Sequence, residues 1–208
     1  MNYISLGLFC IWVLTEVLSA QAPVTGEADR KASQEQIENA DTFADRLVEA
    51  ALFRTTQTER YDPAYVVLDY PGGDVPADTG VCSDVVIRSY RALGIDLQPL
   101  VHEDMKASFS AYPKLWGLTR PDKNIDHRRV PNLETFFKRH GGKVDEADAA
   151  FLPGDLVTWD LNGNGLWHIG IVVGPETFVH NIGAGPVLET GLKQWTVVGH
   201  YRYHPASA

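Results

Sequence analysis

Apolar residues recur at Ile37, Ala40, Ala44, Leu47, Val48, Ala51 and Leu52, the three- and four-residue spacing of a helix with one buried face. Ser33 followed by Gln36 has the form of a capping box at its start. Tyr65 to Asp69 reads as a short extended segment, and Pro71-Gly72-Gly73-Asp74 breaks the chain into a loop. The spacing of Val85, Val86, Tyr90 and Leu93 predicts a second helix from about Cys82 to Leu93, stopped by Gly94. A further helical stretch runs from Leu133 to Arg139 and ends at Gly141-Gly142. After Pro153-Gly154 the period changes. Asp155 to Trp159, His168 to Val173, Thr177 to Ile182 and Val197 to Tyr203 are short, β-rich runs separated by Gly, Asn and Pro. Helices first and strands second predict an α+β fold with segregated halves.

Ahead of this order, Ile4 to Leu14 form an apolar run too short to span a bilayer, followed by the small residues of Leu18-Ser19-Ala20-Gln21-Ala22. The segment reads as a secretory signal peptide over residues 1–20, cut after Ala20, with Ala22 as the other candidate. An uncleaved N-terminal anchor is the competing reading. Phe9 is too bulky to precede a lipidated cysteine, so Cys10 is not read as a lipid anchor. Residues 21–32 carry Pro, Gly and charge and are expected to be a mobile lead-in, leaving 33–208 as one domain. The location this implies is periplasmic or secreted, with no membrane span after leader removal. The net charge of −9 comes without a dense Lys/Arg block, so nothing points to nucleic acid, and a small neutral or cationic partner fits better. The pattern does not specify an oligomeric state.

Removing the leader takes Cys10 with it and leaves Cys82 as a lone thiol that cannot make an intramolecular disulfide. It falls where a glycine-bearing loop turns into a helix, and the dipole at a helix N-terminus favours a thiolate. A buried free cysteine is also common as a small hydrophobe. What shifts the balance is the pair of histidines downstream. His168 opens one strand and His180 lies on the next, and a turn at Gly174-Pro175-Glu176 would bring both to one face. The arrangement has the order nucleophile, base, orienter. Asn181 competes with His180 for the third role, but strand alternation sends these neighbours to opposite faces, so only one of them reaches His168. His180 is the expected one.

These residues resemble the papain-like NlpC/P60 superfamily of cysteine peptidases and amidases. Val81-Cys82-Ser83-Asp84-Val85-Val86 stands for its nucleophile motif, His168-Ile169-Gly170-Ile171 for its base strand, and Pro153-Gly154-Asp155-Leu156-Val157 for its strand opener. Val81 replaces the usual Asp before the nucleophile, and Asp84 replaces the usual Gly after it. More narrowly, the chain looks like a member of the DUF1287 family over nearly all its mature length. That likeness rests on Tyr70-Pro71-Gly72-Gly73-Asp74, on the run Gly80 to Arg88, on Asp126-His127-Arg128-Arg129-Val130-Pro131-Asn132-Leu133, on His180-Asn181-Ile182-Gly183 and on Gly199-His200-Tyr201-Arg202. The resemblance implies a papain-like fold with N-terminal helices packed on a small antiparallel sheet or half-barrel. It implies Cys82, His168 and His180 as the catalytic residues, with Tyr70 and the Cys82 N–H near the oxyanion.

Ser83, Asp84 and Asn181 flank these positions and join the substrate-binding candidates, together with Asp126, Arg128 and Arg129, whose guanidinium groups suit an anion. The run Asp160 to Gly165 superficially resembles a calcium loop, but its twelfth position is Ile171 rather than Glu, and a hairpin turn fits better. His200 and His204 alternate with Tyr201 and Tyr203 without zinc spacing. No metal or organic cofactor is called for. The reading is a secreted or periplasmic cysteine hydrolase that cleaves an amide bond, with peptidoglycan peptide the substrate class implied by resemblance. A thioesterase or acyltransferase acting on a lipid or thioester, and a non-catalytic cell-wall-binding module, are the alternatives.

Overall fold

The computed structural model describes residues 26–40, 42–144 and 150–205. The proposed leader lies outside them. Helix α1 spans Glu27–Asn39 and α2 spans Phe43–Arg54, so the single helix expected from Ile37 onward is two, and α1 already begins inside the expected lead-in. The break follows from a stronger capping box than Ser33 and Gln36 supply. Thr42 Oγ1 accepts the Asp45 N–H at 3.1 Å and the Asp45 carboxylate accepts the Thr42 N–H at 3.2 Å, which fixes a new start after the extended Ala40. Two-residue strands β1 (Arg60–Tyr61) and β2 (Thr79–Gly80) pair in parallel. Helix α3 covers Cys82–Ala92, α4 covers Leu97–Ser108 and α5 covers Val130–Arg139. The chain between β1 and β2, where Tyr65 to Asp69 was expected to be extended, is loop.

Helix α4 carries Pro99 in its first turn, where a missing N–H costs nothing, while Asp96 accepts the Gln98 N–H at 3.1 Å as its cap. The segment therefore looks broken in sequence and is helical in the fold. Five antiparallel strands follow: β3 (Leu156–Asp160), β4 (Trp167–Gly174), β5 (Thr177–Asn181), β6 (Pro186–Thr190) and β7 (Thr196–Tyr201). Their order is β6-β5-β4-β3-β7. Strand β6 was not expected, because it opens on a proline after Gly183-Ala184-Gly185. At the first residue of an edge strand that proline loses no ladder bond. The α+β class holds, with the helices gathered on one side of the sheet.

Alternation along the strands builds two cores. Leu156, Ile169, Ile171 and Val179 face the helices and pack with Val85, Val86, Leu133 and Phe137. Val157, Trp159, Val172, Phe178 and Leu192 form a second cluster. Trp159 is fully buried in it and its indole N–H donates to the Leu192 carbonyl at 2.7 Å. The Asp160 carboxylate accepts the N–H groups of Gly163, Gly165 and Leu166, which makes the run Asp160 to Gly165 the turn of the β3–β4 hairpin.

Candidate active site

The thiol is placed by the loop before it. Pairing of Tyr61 with Gly80 holds β1 against the residues that lead into α3. Arg88, one face along the helix, reaches back to the Thr79 carbonyl at 3.0 Å, to Asp74 at 2.9 Å and to the buried Glu59 at 3.0 Å. A Cβ on Gly80 would lie 2.8 Å from the Glu59 carboxylate and 3.3 Å from Arg88 Nη1, so a side chain there would press on this network. Asp84 accepts the Val81 N–H at 2.7 Å and pairs bidentately with Arg128 at 2.9 and 2.8 Å, both side chains almost wholly buried. The start of α3 is therefore clamped to the segment that begins α5.

Cys82 meets the sheet where two strands part. The ladder between β4 and β5 runs from Gly174 and Thr177 to Ile171 and Val179. Beyond that last pair, the sulfur of Cys82 accepts the backbone N–H of Ile169. The residue before Ile169 is His168. Alternation explains its partner: His180 follows the last ladder pair on the same face as His168, and Glu189 lies across from Phe178 on that face again. His168 Nε2 stands 2.7 Å from His180 Nδ1, and His180 Nε2 stands 2.6 Å from Glu189 Oε2. Trp159, Phe178 and Trp195 pack around the two rings. A Cβ on Gly170 would lie 3.0 Å from the Val179 carbonyl and 3.2 Å from the Trp159 ring, so the stack depends on its absence.

The hydrogen-bond chain determines where the protons are. A carboxylate only accepts, so His180 carries its proton on Nε2 and offers an Nδ1 lone pair. His168 then donates from Nε2 and is left with a lone pair on Nδ1. Burial pushes His168 down to about 3, with the neighbouring His180 adding to the effect, so its ring is neutral at ordinary pH. His180 is lowered by burial, against the pull of Glu189. The helix N-terminus was expected to depress the Cys82 pKa. Instead burial pushes the thiol up to about 11, assisted by the charge of Asp84 and opposed by the N–H groups of Ile169, Ser83 and Cys82 itself. Desolvation outweighs the local dipoles, and the thiol and the imidazole each rest neutral.

The other candidates separate into two sets. Cys82, Arg128 and Arg129 line a groove of about 430 Å³ together with Tyr61, Tyr65, Trp116 and Trp167. Tyr70 is elsewhere, donating its hydroxyl to Glu103 at 2.7 Å and packing on His102, so it is no oxyanion group. Tyr61 is the tyrosine that lines the groove with Cys82: burial raises its phenol, and the Cys82 charge is the next cause. Ser83 faces inward and donates to the Arg128 carbonyl at 2.8 Å. Asp126 is buried, accepting from His102 at 3.2 Å and from the Asp122 N–H at 2.7 Å. Asn181 lies on the helix face and donates to the Gly80 carbonyl at 3.5 Å, which leaves His180 as the partner of His168. Sequence reasoning missed Tyr61 and Glu189. The alternation of Val187 and Glu189 opposite His180 and Phe178 was the available signal for Glu189, and it depends on recognising β6.

Taken together, a helix-initiating cysteine, a strand-borne histidine relay and one helical layer on an antiparallel sheet define an α+β protein with a candidate cysteine site. Residues 48–203 match the family described as a domain of unknown function, DUF1287, and the chain belongs to that family. It is 56% identical over 151 residues to the Escherichia coli (strain K12) protein named "Uncharacterized protein YijF", covering 69% of this chain and 73% of that protein.

Proposed function

We propose that this protein is a cysteine hydrolase that cleaves an amide bond, with the papain-like chemistry of the NlpC/P60 superfamily it resembles. The supporting observation is the relay of Glu189, His180 and His168, which leaves a free Nδ1 lone pair on the residue next to the N–H bonded to the Cys82 sulfur. His168 Nδ1 takes the thiol proton as the sulfur attacks the substrate carbonyl, giving a thioester and, once that proton is returned, a free amine. Water then attacks the thioester with His168 again as base, releasing the carboxylic acid and restoring the thiol. Because thiol and imidazole both rest neutral, proton transfer accompanies attack rather than preceding it. The Cys82 and Ser83 N–H groups at the start of α3, which lie against the sulfur, and the Tyr61 hydroxyl face the developing oxyanion. Peptidoglycan peptide is the proposed substrate, and a periplasmic or secreted location goes with it.

Incubation with soluble peptidoglycan peptides, followed by mass spectrometry, tests this reading. The expected result is a new amine and a new carboxylate from the parent protein, and intact peptides from Cys82→Ala. Cleavage by both proteins would overturn it, and hydrolysis of acyl thioesters with every amide left intact would replace it by a thioesterase.

A further inference from the structure

The groove beside Cys82 is lined by no acidic side chain among the described residues, yet two arginines enter it. They differ in what they hold. Arg128 is committed to Asp84. Arg129 forms no ion pair among the described residues. Its guanidinium carbon sits 4.3 Å over the Trp116 ring, and its Nη1 is buried without a hydrogen-bond partner. Asp122 and Asp126 act on it only through space, since the first accepts from Tyr65 and Asn124 and the second from His102 and the Asp122 N–H. Trp116 is itself held in place: its backbone is in the left-handed region at φ 57°, unusual for a bulky residue, and its ring meets Trp167 edge-on at 6.4 Å. A cation fixed over an aromatic face, with one donor desolvated and unused, is poised for an anion.

We propose that Arg129 binds a carboxylate of the substrate beside the scissile amide, so that the protein selects acidic peptides. This deepens the hydrolase reading and rests on it for the placement of the scissile bond. One unpaired cation between apolar walls matches a singly charged carboxylate, whereas a phosphate dianion would bring a second charge with no partner. The planar guanidinium supplies two parallel donors to such a group.

Two measurements decide the matter. In the Cys82→Ala protein, tryptophan fluorescence is titrated with glutarate and with the neutral glutaramide. Saturable binding of glutarate, at least about tenfold weaker for glutaramide and again after adding Arg129→Gln, is the expected result. Equal binding of the two probes, binding unmoved by Arg129→Gln, or no saturation by glutarate would overturn the proposal. In the parent protein, alkylation of Cys82 by iodoacetate is compared with that by iodoacetamide. The ratio should fall severalfold in Arg129→Gln and be largely kept in Arg129→Lys. A thiol inert to both reagents would count against the nucleophile while the titration still decides the carboxylate site, and a reactive thiol without glutarate binding would remove only the carboxylate site.

Discussion

A carboxylate holds the Nε2 proton of His180 without being able to share one of its own, and this choice passes through the ring to His168. Glu189 thereby sets the tautomer of the proposed base, which it does not touch. Replacing it by Gln removes the charge that favours this arrangement and that, in the proposed reaction, steadies the imidazolium formed during turnover. Glu189→Gln is expected to lower kcat roughly 10- to 100-fold with KM little changed, and Glu189→Asp to recover part of the loss. The 15N shifts of His168 should report the tautomer change directly, a readout that a merely structural role for Glu189 would not move. Chemistry at this scale was only half legible in sequence. Cys82, His168 and His180 stand in recognisable surroundings, whereas Glu189 can be read only once β6 is recognised behind its opening proline, and Tyr61 sits on a two-residue strand that no local pattern marks. Tyr70 was misleading for the same reason: adjacency to Gly72-Gly73 carried no information about which cavity its ring would enter.

Elements meet the site through a small number of charged clamps. Asp84 ties the first turn of α3 to Arg128, just ahead of α5, with both charges buried. Removing one partner leaves the other desolvated and unpaired, so Asp84→Ala should cost about 3–5 kcal/mol in chemical denaturation, with the double variant Asp84→Leu/Arg128→Leu recovering much of it. Strand β4 offers a second test. Gly170→Ala places a methyl against the Val179 carbonyl and the Trp159 ring and should cost about 1–3 kcal/mol, with altered near-ultraviolet circular dichroism from the displaced indole. The elements themselves were legible wherever period and punctuation agreed, as in α3 and β4. They were not legible where a proline opens α4 or β6, because its tolerance there depends on a first turn and a sheet edge that only the assembled fold defines.

Over the whole molecule, buried histidines couple folding to pH. His127 is pushed down to about 4 and His168 to about 3, both mainly by burial, from an unfolded value of 6.5. Below 6.5 the unfolded chain binds protons that the folded chain refuses, so stability is full above that pH and falls as pH drops toward 4. At pH 5 each histidine withdraws about 2 kcal/mol relative to pH 8. The melting temperature should fall by about 10 °C between those values, and His127→Phe should remove roughly half of the dependence. The same burial keeps His168, the proposed base, neutral well into the acid range. The most direct test of the account is the reactivity of Cys82 toward iodoacetamide in the native protein at pH 7, read by intact mass and peptide mapping. The account predicts selective alkylation of Cys82, about 10²-fold slower in His168→Ala although the fold is unchanged. A thiol that reacts equally fast in both proteins, or only after unfolding, would contradict it.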